Sequence, residues 1–180
     1  MGERSFVRNR PSNKIKSLSE IAKITHHFRE HNKTVGLITG CFDILHIGHI
    51  QLFRFAKNHV DIVVVGVEND RRITLSKGSD RPIHNLNQRC TVLSELASID
   101  YVFAIDKVMN FNADSDEASK FYTEVCRMIK PAYLITNPGA DKYWKEKEVR
   151  AKEVGAKLLK RAIKRVSSTS LIVQKLESEF

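Results

Sequence analysis

The stretch that decides the fold is Thr39-Gly40-Cys41-Phe42-Asp43-Ile44-Leu45-His46-Ile47-Gly48-His49, which directly follows the apolar run 35–38. This order predicts a buried strand, a tight loop that begins at Gly40, and a helix from about Gly48 to Asn58. A helix N-terminus attracts anions through its N–H groups and its positive dipole end. Two imidazoles at that point can donate hydrogen bonds to phosphoryl oxygens. The stretch therefore predicts a phosphate site, and the sequence contains neither of the common glycine-rich phosphate loops.

Strands and helices alternate along the rest of the chain. The predicted strands are residues 34–39, 61–67, 101–105, 133–136 and 156–159. The other predicted helices are an amphipathic helix capped by Ser17 and Glu20, one from Asn85 to about Ala97, 115–129, 141–154, and a last one from Ser167 or Ser168 to Leu176. Residues 68–82 are predicted to form a long loop with one short helix. This order predicts an α/β fold with a Rossmann-like, doubly wound, parallel five-stranded sheet, helices on both faces and an N-terminal amphipathic helix.

Length and composition indicate one folded domain. The chain has 180 residues, of which 42% are hydrophobic and 28% charged. That length suits one α/β domain and is too short for two ordinary ones, so we expect a basic flexible tail at 1–13 and a single domain at 14–180. No apolar stretch approaches the ~20 residues that span a bilayer. The polar N-terminus lacks the apolar stretch of a secretory signal, and a cytoplasmic protein without membrane contact is expected.

The net charge of +9 indicates an anionic partner. Basic residues collect near the N-terminus and in residues 142–165. Nucleic acid is one possible partner, although only Tyr143 and Trp144 stand among these basic residues to stack on bases. The alternative is that residues 142–157 form an ordinary solvated helix face. The three cysteines are few, odd in number and widely spaced, which implies neither a disulfide framework nor a metal site.

The histidine stretch resembles a known signature. Residues 40–49 are similar to the HxGH signature of the cytidylyltransferase-like nucleotidyltransferase superfamily. They are most similar to the G-C-F-D-x-L-H-x-G-H form of ADP-heptose synthase adenylyltransferases, which act on a heptose 1-phosphate. Further matches fall in the family's order and extend the resemblance over most of residues 14–176. They are Ser17-Leu18-Ser19-Glu20, Asn69-Asp70, Lys77-Gly78, Arg81-Pro82-Ile83, Gln88-Arg89 and Ser167-Ser168-Thr169.

The resemblance implies nucleotidyl transfer, in which a phosphate monoester attacks the α-phosphorus of a nucleoside triphosphate and expels pyrophosphate. It favours ATP over CTP, and a sugar phosphate or polyol phosphate as the acceptor. It also implies Mg²⁺, held mainly by phosphate oxygens with no side chain assigned as a ligand. A homodimer is expected because exposed apolar faces on small α/β domains often form dimers. Two alternatives stay open: a glycerol-3-phosphate-type cytidylyltransferase, and a non-catalytic nucleotide- or nucleic-acid-binding module on the same fold.

Site residues follow from the same resemblance. The implied catalytic residues are His46, His49, Lys77 and Arg89. The histidines would contact the triphosphate and stabilise the transition state, and Lys77 would reach the phosphates from the opposite side. For Arg89 the alternative is a solvent-facing salt bridge. The implied nucleotide-binding residues are Thr39, Gly40, Cys41, Phe42, Gly48, Asn137, Gly139, Ser167, Ser168 and Thr169. The implied acceptor-binding residues are Asp43, Asp70, Arg81 and Asp141. For Asp43 the alternative is that it orients the loop by local hydrogen bonds.

The chain departs from the heptose-type pattern at two places. Residues 137–143 read Asn-Pro-Gly-Ala-Asp-Lys-Tyr where that pattern has K-G-G-D-Y. Residues 164–166 read Lys-Arg-Val where the pattern has a smaller, glycine-containing sequence. Both changes fall on expected substrate contacts, so the identity of the acceptor stays open.

Overall fold

The described part of the chain forms one parallel sheet. The computed structural model describes residues 13–105 and 116–163 together with positions 172, 173, 175 and 178. Its strands are β1 (Val35–Gly40), β2 (Ile62–Glu68), β3 (Tyr101–Ile105), β4 (Tyr133–Thr136) and β5 (Lys157–Lys160). They lie in the order β3-β2-β1-β4-β5, and every neighbouring pair is parallel. The predicted doubly wound five-stranded sheet is confirmed, with each strand within one residue of its predicted bounds.

Helices cover both faces of the sheet, as predicted. Within the described residues they are α1 (Leu18–Glu30), α2 (Ile47–Lys57), α3 (Asp70–Lys77), α4 (Leu86–Ser94), α5 (Asp116–Ile129) and α6 (Trp144–Glu153). Alternate strand residues point to opposite faces, so Ile38 packs with side chains of α2 and α4, and Leu37 packs with those of α1, α5 and α6. Strand β2 is buried on both sides, which explains its continuous valine content.

Two apolar residues differ from the sequence prediction. Ile15 recurs at helical spacing with Leu18 and Ile21, which predicts a place on the apolar face of the first helix, but it lies before α1 and forms an isolated β-bridge with Val102. The apolar spacing of the helix predicted from Asn85 to about Ala97 places Val92 on its inward face, but this residue is 49% exposed. Helix α4 packs through Cys90 and Leu93, so Val92 lies on its outer side.

The crevice for a ligand lies between β1 and β4. After β1 the chain enters α2 on one face, and after β4 it enters α6 on the other face. Neighbouring strands whose connections leave to opposite faces open a crevice at their carboxyl ends, where ligands bind in such sheets. The histidine stretch therefore begins at this crevice.

Several predictions fall partly or wholly outside the described residues. The tail at 1–12 does, and so do Ser167, Ser168 and Thr169. Positions 172, 173 and 175 of the predicted last helix are helical. In the part of the chain that the structure describes, no helix is long and apolar enough to cross a membrane.

Candidate active site

Two histidines lie side by side where α2 begins. His46 is the N-cap residue, and its Nδ1 accepts a hydrogen bond from the Gly48 N–H at 3.2 Å. The Nδ1 of His49 accepts from the His46 N–H at 3.4 Å, and the two ring centroids are 3.9 Å apart. Because each Nδ1 accepts, we assign the proton of each neutral ring to Nε2. The site therefore combines two imidazole N–H donors with the positive dipole end of helix α2.

Glycines keep the histidine loop, residues 40–49, tightly folded. A Cβ on Gly40 would lie 2.9 Å from the ring of Phe42, whose backbone has a φ of 49°. A Cβ on Gly48 would lie 3.0 Å from the His46 ring. The buried Phe42 ring in turn packs edge-on against His49, with the centroids 5.5 Å apart. These contacts orient the imidazoles, and the predicted nucleotide contacts of the glycines stay predictions.

Lys77 faces the same site from the last position of α3. It is exposed, and its charge is close enough to contribute to the pKa values of both His49 and Cys41. Burial lowers the pKa of His49 to about 3, with further contributions from the charges of His46 and Lys77. Burial raises the pKa of the Cys41 thiol, so this cysteine is not activated as a nucleophile. The structure thus brings together Lys77 and both predicted histidines.

The lowered pKa of His49 makes stability depend on pH in a defined direction. Below the ordinary histidine pKa of about 6.5, His49 is protonated in the unfolded chain but stays neutral in the folded protein. The stabilising contribution is therefore full above about pH 6.5 and is lost as the pH falls toward 3. When the pH is lowered from about 7.5 to about 5.5, the free energy of unfolding should fall in the wild type. In His49→Gln we expect this fall to be smaller by about 1 kcal/mol.

Urea unfolding of both proteins at the two pH values measures this difference. His59→Gln is the matched control, because His59 is an exposed histidine just beyond the other end of α2. It should follow the wild type more closely than His49→Gln does. Identical pH dependence of the wild type and His49→Gln would contradict the assignment.

Arg89 lies beneath the histidine loop. The residue is 1% exposed, and its guanidinium donates to three carbonyl oxygens, those of Cys41, Glu68 and His84. It also donates to the Asp70 carboxylate at 2.6 Å. The alternative of a solvent-facing salt bridge is therefore wrong. Because each guanidinium nitrogen already faces a protein acceptor, the geometry favours a positioning role over the predicted contact with phosphate.

Asp43 and Arg81 connect the histidine loop to the segment before α4. Asp43 is 6% exposed and accepts from the backbone N–H groups of Ile83 and His84 and from Arg81 Nη1 at 3.2 Å. Burial alone would raise the pKa of Asp43, but these hydrogen bonds lower it overall. Both residues were predicted to bind the acceptor. In this structure they bind each other, and their predicted acceptor contacts stay predictions.

The other two predicted acceptor residues differ in accessibility. Asp70 begins α3 with a side chain that is 43% exposed, and its second carboxylate oxygen accepts from the Leu86 N–H at 3.2 Å. Asp141 accepts from the Thr136 hydroxyl at 2.6 Å and pairs with Lys147 at 2.7 Å. Of the two, Asp70 has the more exposed side chain, since that of Asp141 is 20% exposed.

The side chain of Asn137 closes the turn after β4 by hydrogen bonds. Asn137 Oδ1 accepts from the Gly139 N–H at 3.1 Å and from the Ile163 N–H at 3.2 Å. This turn places Asn137 and Gly139 at the carboxyl end of β4, on the predicted side of the crevice. Their contact with a nucleotide stays a prediction.

Helix α6 contributes two cations that the sequence prediction had missed. Lys147 Nζ donates to the Thr39 carbonyl oxygen at 3.0 Å, and Arg150 is 8% exposed with its guanidinium 5.2 Å from the Tyr122 ring centroid. The solvated-face alternative for residues 142–157 is therefore wrong for these two positions. Tyr143, Lys147 and Arg150 stand at i, i+4 and i+7, and this spacing could have shown that they share one helix face.

The described residues offer no preformed metal cage. Among residues 13–105 and 116–163, no group of three or more His, Cys, Asp or Glu side chains is placed to hold a metal ion. The carboxylates of Asp43, Asp70 and Asp141 accept hydrogen bonds from protein donors.

Sequence comparison relates the chain to one family. Residues 37–175 match the family model described as cytidylyltransferase-like. The bifunctional protein HldE of a Nitratiruptor species is 30% identical over 177 residues, which cover 98% of this chain and 35% of that protein. HldE of Wolinella succinogenes is 33% identical over 169 residues, which cover 91% of this chain and 31% of that protein. The chain thus spans about a third of the length of these two curated relatives.

Solved structures share the fold. The lipopolysaccharide core biosynthesis protein from Thermoplasma volcanium GSS1 superposes with a TM-score of 0.52 at 22% identity, covering 75% of this chain and 99% of that one. Pantoate-beta-alanine ligase from Francisella tularensis, complexed with beta-gamma ATP and beta-alanine, has a TM-score of 0.61 at 15% identity. That match covers 92% of this chain and 78% of the ligase chain. At these identities the two likenesses concern the fold alone.

Proposed function

Since this chain belongs to the cytidylyltransferase-like family, we propose that it is a nucleotidyltransferase. It joins a nucleoside triphosphate to a phosphorylated small-molecule acceptor and releases pyrophosphate. The attacking oxyanion belongs to the acceptor's own phosphate, so the enzyme needs no side chain as a nucleophile. Its task is in-line positioning and neutralisation of charge on the phosphates.

The observation that supports this proposal is the paired arrangement of His46 and His49. Both rings present Nε2–H donors at the N-terminus of α2, and Lys77 contributes a positive charge from α3. Donors fixed in place before the reaction stabilise the charge that develops on the α-phosphate and on the leaving pyrophosphate. Burial lowers the pKa of His49 to about 3 in the protein without ligand, so its ring is neutral at physiological pH and offers Nε2–H as a hydrogen-bond donor.

The proposed substrates are ATP, with CTP as the alternative, and a sugar phosphate of the heptose 1-phosphate type. The G-C-F-D-x-L-H-x-G-H form of the histidine loop and the similarity to HldE proteins support this choice. A polyol phosphate such as glycerol 3-phosphate is the alternative acceptor. The proposed homodimer is tested separately by light scattering of the purified protein.

Mg²⁺ is proposed to enter with the triphosphate. When bound, it neutralises part of the charge on the phosphate oxygens. The side chains nearest the histidine loop suit this arrangement, because they supply N–H donors and cations. The phosphate oxygens would then be the main ligands of the metal. Asp70 is the partly exposed carboxylate that can bind a water of such an ion.

Pyrophosphate release tests the proposed function. We expect turnover when ATP is combined with a heptose or hexose 1-phosphate in the presence of Mg²⁺, and background release when acceptor or metal is omitted. CTP, GTP, UTP and glycerol 3-phosphate in the same assay identify the base and the acceptor. If no pair turns over, while RNA binds with an affinity that falls steeply with salt, the non-catalytic alternative replaces this proposal.

A further inference from the structure

One face of α6 is polar where a helix packed on a sheet would ordinarily be apolar. Lys147 and Arg150 lie on that face, Tyr143 directly precedes the helix, and we call these three residues the α6 stripe. The Lys147 side chain is 12% exposed, and Arg150 as a whole is 8% exposed. Tyr143 Oη and Arg150 Nε are buried and lack a hydrogen-bond partner within the described residues. The stripe therefore offers two polar groups that make no hydrogen bond within the described residues.

Arg150 is the unusual member of the stripe. Among the described residues, no carboxylate oxygen lies within 4.0 Å of its guanidinium. The guanidinium instead lies over the Tyr122 ring, and Arg72 approaches the same ring at 5.8 Å. Burial lowers the pKa of Arg150, although the charges of Glu146 and Glu153 act in the opposite direction. Buried charges are normally paired, so this arrangement suits an anion supplied by a ligand.

A small cavity borders the stripe. It lies between β1, α5 and α6 and is lined by polar and apolar side chains that include Thr39, Tyr122, Lys147 and Arg150. The cavity has room for about one water-sized group. One oxygen atom of a larger anion fits that space. The nearby Glu68 carboxylate is already bound by the Tyr122 hydroxyl at 2.6 Å.

The position of the cavity relates it to the reaction. Lys147 contacts the carbonyl oxygen of Thr39, which lies directly before the histidine loop. The loop continues into α2 on one face of the sheet, and the stripe lies on the other face. In-line transfer requires the attacking oxygen and the leaving pyrophosphate on opposite sides of the α-phosphorus. The histidine loop and the α6 stripe lie on opposite sides of the end of β1. They meet that requirement if the histidines bind the leaving phosphates and the stripe binds the attacking group.

We propose that the α6 stripe binds the phosphate of the acceptor, a phosphomonoester, with one non-attacking oxygen in the cavity beside Arg150. This inference rests on the proposed function. A second oxygen of the same phosphate attacks and forms the new bond to the α-phosphorus. The bond from the α-phosphorus to its bridging oxygen breaks, and pyrophosphate leaves with that electron pair. Arg150 and Lys147 transfer no proton and orient the nucleophile by charge and hydrogen bonds.

Calorimetric titration of inorganic phosphate into protein saturated with Mg²⁺ and α,β-methylene-ATP tests the inference. This analogue fills the nucleotide site and cannot lose pyrophosphate. We expect saturable phosphate binding in the wild type and affinity weaker by about tenfold or more in Arg150→Met. The affinity for the analogue should change by less than about twofold. Lys152→Met is the matched control, because Lys152 is an exposed cation on the same helix, and it should leave both affinities unchanged.

Three results would overturn the inference. They are absence of saturable phosphate binding in the wild type, equal phosphate affinity in Arg150→Met, and loss of analogue binding in that variant. Removal of a poorly compensated buried charge should leave the melting temperature of Arg150→Met unchanged or higher. If this variant does not fold, Arg150→Lys replaces it, with weakened phosphate binding expected and unchanged binding overturning the inference. Failure of the proposed function is a separate result, in which the wild type binds both probes but releases no pyrophosphate with any acceptor.

Discussion

His49→Ala is expected to lower kcat by about 10²- to 10³-fold, the usual cost of removing one preorganised donor to a transition-state oxyanion. The His49 ring is held on two sides, by the hydrogen bond from the His46 N–H and by the Phe42 ring. Its Nε2–H therefore needs no reorganisation during the reaction. Substrate binding should weaken less than turnover, because charge on the phosphates is greatest in the transition state.

Steady-state pyrophosphate release measures the effect, with the KM of each substrate determined separately. His46→Ala should be similarly impaired in turnover, but it also removes the N-cap of α2, which costs about 1 kcal/mol of stability. His59→Ala is the matched control at the other end of α2 and should retain wild-type turnover. Full activity in both His46→Ala and His49→Ala would refute the proposed role of the pair.

The second large effect is expected at Arg89. Arg89→Met should lower the free energy of unfolding by about 3–5 kcal/mol, in the range seen when one partner of a buried charged network is removed. The change leaves the carbonyl oxygens of Cys41, Glu68 and His84 without this donor. These three carbonyls follow β1, end β2 and precede α4, so the lost contacts connect three parts of the site.

Urea unfolding at neutral pH measures this loss, and Arg54→Met is the control because Arg54 is exposed on α2. The control should lie within about 0.5 kcal/mol of the wild type. If Arg89→Met unfolds like the wild type but loses turnover, Arg89 contacts substrate as the sequence comparison with its family implied.

The fold was largely predictable because its signals are local. The valine-rich β2 and the apolar residues of β1 each show strand-length burial. The capping box of Ser17 and Glu20 marks the start of α1 and is present in the structure. Helix ends were less well predicted, and α4 ends at Ser94 and not near Ala97. The sequence did not locate this end because residues 95–97 include no glycine or proline that would mark it.

The candidate site was predictable only in part, because many of its contacts join distant residues. Arg89 and Cys41 are 48 positions apart, and Lys147 and Thr39 are 108 positions apart. A family resemblance names such residues without showing whether they face a ligand or a carbonyl oxygen. The resemblance assigns Asp43 and Arg81 to the acceptor, for example, and only the structure shows that these two side chains pair with each other.

The sequence by itself determined the parallel α/β architecture and the position of the histidine loop at the start of a helix. The resemblance of that loop to a known signature implied the proposed reaction class. Periodicity, caps and turns are properties of neighbouring residues, so they can be recognised without coordinates. Tertiary structure alone decided which cations are buried and what they face. It placed Arg89 beneath the loop and Arg150 beside the cavity, because burial depends on the packing of helices that are far apart in the chain.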